Sequence, residues 1–227
     1  MIRIYYEVVL NSLNEKGFVE TIKHIWFTIS EITFDLRYAT ETRSWIKLSE
    51  LDINSPNVSS GTFYAPTRAG VFRKLMRKLK CPKDAVFIDF GCGKGKTLIL
   101  AMEQGFNKII GVDFSGLLCE IATRNIEIYK RKTNSASNVE ILLMDAVDYE
   151  IKDEDVIFYF FNPFDDKIFE KILINIKKSL ENCKRKIWII YYNPIFSEIF
   201  DRNREFLPLR RKYTFQGHNI FVYENNL

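Results

Sequence analysis

The residues best suited to chemistry in this sequence lie between Asp89 and Gly95, where an acidic residue precedes three alternate glycines, Gly91, Gly93 and Gly95. Glycines let a ligand approach the backbone closely, because they carry no side chain. If a helix begins directly after them, its unpaired N–H groups and the positive end of its dipole attract negatively charged groups. The stretch therefore predicts a site for a carboxylate, a ribose or a phosphate.

Three ligand classes compete for this glycine turn. A Walker A loop has the pattern G-x-x-x-x-G-K-[ST]; Gly95-Lys96-Thr97 matches its end, but its first glycine would have to stand where the chain has Phe90. The dinucleotide pattern G-x-G-x-x-G is also incomplete, because Lys96 occupies its third glycine position. What remains is an acid inside a strand end, followed by G-x-G-x-G, and that pattern alone is a weak signal.

Two acids further along the chain help to decide between these classes. Asp113 follows an apolar run and comes 22 residues after Gly91, the first of the glycines. An acid at the carboxyl end of a second strand is placed to accept hydrogen bonds from both hydroxyls of a ribose, which a Walker A protein does not need. Asp145 ends a third such run. Three acids at successive strand ends beside a glycine turn are more specific than any one motif.

Alternating strand and helix patterns must position these residues. Short apolar runs are typical of buried parallel strands, and helical stripes follow several of them. Two last runs, separated by Gln216–Asn219, predict a terminal antiparallel hairpin. The predicted strands are Val86–Phe90, Lys108–Val112, Asn138–Met144, Asp155–Phe161, Lys186–Tyr192, Leu209–Phe215 and Ile220–Tyr223, and the predicted helices between them include Leu117–Lys130 and Ile168–Leu180.

Length and composition fit one sizeable core. The chain has 227 residues, 47% of them hydrophobic, and a formal net charge of +4 that permits an anionic partner without requiring one. No apolar run approaches the roughly 18 residues of a membrane span. The four cysteines form no C-x-x-C pair and there are only two histidines. We therefore expect no metal site, free thiols and a cytoplasmic location.

Residues 1–60 differ in pattern from residues 61–227, and we interpret them as an N-terminal helical extension packed on the main domain. Apolar residues recur at helical spacing between Glu15 and Phe34. An amphipathic helix that lies on a membrane or binds a partner is the alternative, but the polar face of this helix is not rich in Lys or Arg. A second predicted helix, Ala69–Lys80, has a basic face. We expect this face to be solvated, with a nucleic acid or an acidic protein surface as the alternative partner.

Together these motifs resemble those of class I S-adenosylmethionine-dependent methyltransferases. From about Phe34 to Pro194 the chain is similar to a bacterial family of such enzymes, with a looser likeness to Dot1-like protein lysine methyltransferases. The resemblance implies S-adenosyl-L-methionine as cofactor and an α/β, Rossmann-like class I methyltransferase fold. Its mostly parallel seven-stranded sheet would end in a C-terminal antiparallel hairpin. The segments that carry the resemblance are Phe34–Tyr38, Tyr64–Thr67, Ile88–Gly95, Phe160–Phe164 and Tyr191–Pro194.

The resemblance also implies roles for individual residues in binding the cofactor. Asp113 would hold the ribose, and Asp145 would face the exocyclic amine of adenine, which distinguishes adenine from guanine. Asp89 would accept from the amino group, and Phe114 would cover the adenine. Thr67 would contact the methionine part, although it is equally suited to capping a helix. The full expected set is Tyr64, Thr67, Asp89, Gly91, Cys92, Gly93, Gly95, Asp113, Phe114, Asp145 and Ala146.

Asn162-Pro163-Phe164 follows the fourth predicted strand and resembles the (Asp/Asn)-Pro-Pro-(Tyr/Phe) motif of amine-directed methyltransferases, with one proline absent. In those enzymes the Asn carbonyl helps to hold the target nitrogen, and the aromatic ring stacks on the substrate. We therefore expect Asn162, Pro163 and Phe164 to be catalytic. Asn193-Pro194 ends the next strand, and we expect a smaller role for it.

The implied reaction is an in-line transfer of the methyl group from the sulfonium to an unidentified acceptor, which is a protein lysine, a nucleic acid or a small metabolite. Nitrogen is slightly favoured as the acceptor atom, because no His–acid pair offers the base that a hydroxyl would want. A P-loop-like nucleotide-binding hydrolase and a non-catalytic S-adenosylmethionine-binding module remain as alternatives.

Overall fold

The computed structural model describes residue 22 and residues 29–30, 32–43, 46 and 65–226. Within residues 65–226, seven strands form one sheet with helices on both faces. The strands are β1 (Val86–Phe90), β2 (Lys108–Asp113), β3 (Asn138–Leu143), β4 (Asp155–Phe161), β5 (Trp188–Tyr192), β6 (Leu209–Phe215) and β7 (His218–Glu224). The helices are α1 (Ala69–Leu79), α2 (Lys96–Glu103), α3 (Gly116–Thr133), α4 (Asp166–Asn182) and α5 (Ser197–Arg202), with a short 3-10 helix at Ala146–Asp148.

The strand order across the sheet is β3-β2-β1-β4-β5-β7-β6. Strands β1 to β5 pair in parallel, and β7 runs antiparallel between β5 and β6. The strand order reverses at the boundary between β1 and β4, where a crevice opens at the carboxyl ends of the strands. The structure confirms the expected fold, and it places the glycine turn at that crevice.

The core follows from the apolar strands. All five residues of β1 are buried, because helices cover both faces of the sheet. On one face α1, α2 and α3 pack around residues such as Phe87 and Tyr159. On the opposite face α4 and α5 pack around residues such as Phe90 and Phe160. Packing from both sides holds the carboxyl end of β1 in place.

Several element boundaries differ from the predicted ones. The predicted helix Glu15–Phe34 lies largely outside the described residues, although residues 32–38 are helical. β7 begins at His218 rather than at Ile220. The hairpin is tighter than expected because Gln216 and Gly217 adopt positive φ values of 52° and 80°, as a two-residue hairpin turn requires.

Within the part of the chain that the structure describes, no helix is both long and apolar enough to cross a bilayer. Over the same residues, no group of three or more His, Cys, Asp or Glu side chains is placed to hold a metal ion.

Candidate active site

The turn between β1 and α2 is built from backbone conformations that favour glycine. Gly91, Gly93 and Gly95 have φ values of 79°, 53° and 78°, which lie in the left-handed region. The amides of Gly91 and Cys92 both donate to the carbonyl of Val112, at 2.8 and 3.1 Å. These bonds tie the turn to the carboxyl end of β2.

Asp113 lies at that end of β2, directly beside the glycine turn. Its carboxylate accepts from the amide of Gly93 at 2.8 Å and from the amide of Ser115 at 3.0 Å. Burial raises the pKa of Asp113 to about 6, although the backbone hydrogen bonds oppose this shift. Each carboxylate oxygen has more than one acceptor position, so these two amides leave capacity for ribose hydroxyls.

Asp89 is buried in β1, where the residue is only 2% exposed. Burial raises the pKa of Asp89 to about 8; a hydrogen bond from Thr97 opposes the shift and the nearby charge of Asp113 adds to it. At neutral pH the ligand-free protein therefore holds Asp89 mostly protonated. A cationic ligand group beside it would favour the ionised form.

The predicted adenine contacts lie at the ends of β2 and β3. The carboxylate of Asp145 accepts from the amide of Val147 at 3.1 Å and caps the 3-10 helix that begins at Ala146. Ala146 is buried and Phe114 is half-buried. The amide of Met144 donates to the carbonyl of Asp113 at 3.0 Å, which joins this end of β3 to the end of β2. Recognition of adenine by Asp145 stays a prediction.

The segment after β4 contacts the glycine turn. A Cβ atom placed on Gly91 would stand 2.5 Å from the Cβ of Pro163, so the two loops touch without room for a side chain. Asn162 has a φ of 43°, and its Oδ1 accepts from the hydroxyl of Tyr191 at 2.9 Å. The glycine turn and the loop that carries Asn162 are therefore neighbours at one edge of the sheet.

The other two residues predicted at this edge are placed differently. Phe164 is buried, and its ring centroid lies 6.0 Å from that of Phe169. In this structure its ring is part of the core. Asn193 is exposed, with a φ of 53°, and its amide donates to the carbonyl of Asn219 at 3.0 Å.

Comparison with known proteins agrees with this geometry. Residues 87–182 match the family described as "Methyltransferase domain", and this range contains the glycine turn and all three acids. These residues match a methyltransferase domain, and the sheet to which they contribute has the class I, S-adenosylmethionine-dependent methyltransferase fold; we refer to it below as the methyltransferase domain.

A curated relative of this methyltransferase domain is the ribosomal protein L11 methyltransferase of Thermosipho africanus, which is 28% identical over 167 residues. The alignment covers 72% of this chain and 55% of the relative. The chain thus spans about half the length of the curated relative that it matches.

Solved structures share the fold at low sequence identity. An RNA methyltransferase from Salinibacter ruber, in complex with S-adenosyl-L-homocysteine, has a TM-score of 0.52 at 16% identity, covering 71% of this chain and 94% of that one. The tRNA (uracil-54, C5)-methyltransferase of Pyrococcus abyssi, in complex with the same compound, has a TM-score of 0.50 at 17% identity, covering 82% of this chain and 45% of that one. At these identities the likeness establishes the fold alone.

Two buried residues of the methyltransferase domain, Thr97 and Tyr159, were missed by sequence reasoning. The hydroxyl of Thr67 lies 3.0 Å from that of Thr97 and 3.1 Å from that of Tyr159. The alternative that Thr67 caps α1 is wrong, because the N-cap residue is Arg68. A tyrosine within an apolar strand is a usable signal, since a buried hydroxyl needs a partner.

The two lysines that flank Gly95 are directed toward the N-terminal segment. Lys94 and Lys96 are each 1% exposed. The Nζ of Lys96 lies 4.8 Å from the ring centroid of Phe34, and the Nζ of Lys94 lies 3.2 Å from Oε1 of Glu41. Burial lowers the pKa of Lys96 to about 7. A Walker A lysine reaches toward phosphates instead, so this geometry disfavours the P-loop alternative.

The side chain of Asn125 joins residues 32–43 to the methyltransferase domain through hydrogen bonds. It accepts from the amide of Glu41 at 2.9 Å, and it donates to the carbonyls of Glu41 and Lys94 at 3.2 and 3.0 Å. One buried amide thus joins the N-terminal segment, α3 and the glycine turn. Tyr64, the remaining predicted cofactor contact, lies outside the described residues.

Proposed function

We propose that this chain transfers a methyl group from S-adenosyl-L-methionine to an acceptor. The observation that carries the proposal is the contact between Gly91 and Pro163. Through it, the glycine turn with its two buried acids adjoins the loop that holds Asn162. A cofactor on the first loop and an acceptor at the second would meet at the switch point of the sheet, where ligands of such folds bind.

The residues present fit the cofactor. The glycine turn provides a side-chain-free cradle, and Asp113 keeps acceptor capacity for the ribose hydroxyls. The start of α2 would face the carboxylate, and Asp89 would pair with the amino group. The cofactor supplies an already activated methyl group, so the protein's tasks are binding, orientation and exclusion of water.

Nitrogen is our proposed acceptor atom. The hydroxyl of Tyr191 holds the side-chain carbonyl of Asn162, and a second lone pair on that oxygen can accept from a target N–H group. The names of similar proteins include both ribosomal protein and RNA as acceptors. The activity test therefore includes proteins, nucleic acids and small metabolites as candidate methyl acceptors.

Binding is tested first, by calorimetry with S-adenosylhomocysteine, ATP and NAD. We expect only S-adenosylhomocysteine to bind. Asp113→Ala should weaken it by about 1–3 kcal/mol, since hydrogen bonds to a charged group are lost. Asp153→Ala, in an exposed turn, is the matched control and should bind normally. Binding of ATP or NAD instead would contradict the proposal.

Turnover is tested with radiolabelled S-adenosylmethionine and the protein, RNA and small-molecule fractions of a cell extract. Asn162→Ala should lower methyl transfer on the order of tenfold or more, while S-adenosylhomocysteine still binds. Asn193→Ala, at the other Asn-Pro with positive φ, should have a smaller effect. Tight binding without transfer to any fraction would favour the non-catalytic module.

A further inference from the structure

A chain of buried side-chain hydroxyls leads away from the acid of β1. The hydroxyl of Thr97 acts on Asp89 as a hydrogen-bond partner that lowers the pKa of its carboxyl group, and it lies 3.0 Å from the hydroxyl of Thr67. Thr67 continues at 3.1 Å to the hydroxyl of Tyr159 on β4. We call these three residues, Thr97, Thr67 and Tyr159, the hydroxyl chain. All of them are at most 5% exposed, so water does not substitute for these bonds.

The geometry allows the hydroxyl chain to point in either direction, because each hydroxyl in these pairs can donate or accept. If Asp89 is protonated and donates to Thr97, every hydrogen in the chain points toward Tyr159. The hydrogen of Tyr159 then has no acceptor among the described residues. If Asp89 is ionised, Tyr159 donates to Thr67, Thr67 to Thr97, and Thr97 to the carboxylate. Every hydroxyl hydrogen is then bonded.

The hydroxyl chain therefore favours the ionised acid, while burial favours the neutral one. Because these two effects oppose each other, the protonation state of Asp89 is sensitive to a nearby charge. The described titratable groups that act with it are Asp113 on β2, Cys92 in the glycine turn and Tyr159 on β4. Among the groups that shift the pKa of Asp89 there is no cation from the described residues.

We propose that binding of the cofactor's ammonium group expels a proton from Asp89 and reverses the hydroxyl chain, so that Tyr159, Thr67 and Thr97 hold the resulting carboxylate. This inference rests on the proposed function, since it requires an aminoacyl-bearing ligand at the glycine turn. The step is balanced: the O–H bond of Asp89 breaks, its proton passes to the solvent, and the ammonium keeps all of its own. Affinity for the ligand should then rise with pH up to about the pKa of Asp89.

Calorimetry with S-adenosylhomocysteine at pH 7, in buffers of different ionisation enthalpy, counts the protons released. With a pKa of about 8 for Asp89, the wild-type protein should release about 0.9 of a proton. Asp113 contributes little at this pH, because its pKa is about 6. Asp89→Asn should abolish the release.

Variants of the hydroxyl chain separate this mechanism from simple packing. Tyr159→Phe removes the terminal donor, so affinity at pH 7 should fall about 2–10-fold and the pH at which affinity levels off should rise. Thr97→Val should act in the same direction, whereas Thr97→Ser keeps the hydroxyl and should therefore keep the wild-type pH profile. Tyr223→Phe, at a buried tyrosine on the opposite face of the sheet, is the control and should leave the profile unchanged.

Two results would overturn the inference while leaving the proposed function intact. One is that the wild-type protein binds S-adenosylhomocysteine with a measured enthalpy that does not depend on the ionisation enthalpy of the buffer. The other is an unchanged pH profile in both Tyr159→Phe and Thr97→Val, provided that both fold as judged by thermal unfolding. A wild-type protein that does not bind S-adenosylhomocysteine at all would overturn the proposed function, and the inference with it.

Discussion

At position 91 two separate requirements call for glycine. The φ of 79° is costly for any residue with a Cβ atom, and Pro163 occupies the space that such an atom would need. Gly105, which follows α2, has a similar φ of 84° but nothing within 4 Å of its Cβ position. The chain therefore offers a pair of sites that share the backbone strain and differ in the contact.

We predict that Gly105→Ala costs about 1 kcal/mol of unfolding free energy, from backbone strain alone. Gly91→Ala should cost at least about 1 kcal/mol more, because Pro163 must shift, and it should also weaken S-adenosylhomocysteine binding. Urea unfolding and calorimetry on both variants measure these differences. Equal stability losses with unchanged binding would show that the Gly91–Pro163 contact has no role at the site.

Among the elements, the N-terminal segment is linked to the glycine turn and its surroundings through three buried side chains. Lys94, Lys96 and Asn125 all extend from the methyltransferase domain to residues 32–43. Asn125 is 1% exposed and satisfies three backbone groups from two different parts of the chain. Its loss would leave buried amide and carbonyl groups without their partner.

We predict that Asn125→Ala lowers the free energy of unfolding by about 1–3 kcal/mol. It should also speed tryptic cleavage at Arg43, because the segment is released before the domain unfolds. Asn175→Ala is the matched control. Its side chain makes one hydrogen bond, to the carbonyl of Val147 at 3.0 Å on the opposite side of the sheet. If both variants were cleaved at the same rate as the wild type, the proposed fastening would be wrong.

At the scale of the whole molecule, the buried acid of β1 makes stability depend on pH. Folded Asp89 keeps its proton up to about pH 8, whereas an unfolded aspartate releases it near pH 3.9. Between these values the folded state binds more protons, so its stability falls as the pH rises. Lys96 has the opposite effect above its lowered pKa of about 7, because the unfolded lysine then holds the extra proton.

We predict that Asp89→Asn removes this pH dependence in the ligand-free protein. The difference in unfolding free energy between variant and wild type should shift in favour of the variant from pH 5 to pH 8, by at most about 1.4 kcal/mol per pH unit. The contribution of Lys96 cancels in that difference. Urea unfolding at several pH values is the measurement, with Asp153→Asn as the exposed control. A difference that stays constant over this range would contradict the buried, protonated state.

The fold could be predicted because each strand can be recognised from its own local sequence. Runs such as Val86–Phe90 are apolar throughout and end at glycines or acids, and the order of patterns then dictates a parallel sheet. The closeness of Asp89 and Asp113 could also be predicted, because the carboxyl ends of neighbouring parallel strands meet at one edge of the sheet. Long-range packing was beyond such reasoning. Lysines are seldom fully buried, and nothing near Lys96 in the sequence indicates that Phe34 lies against it.

The position of β7 between β5 and β6 has a consequence for synthesis. β6 leaves the ribosome first, yet it has no hydrogen-bonding partner until residues 218–224 follow, and until then β5 presents an open edge to other nascent chains. A message truncated within the hairpin turn would therefore yield an aggregation-prone fragment rather than a smaller folded domain.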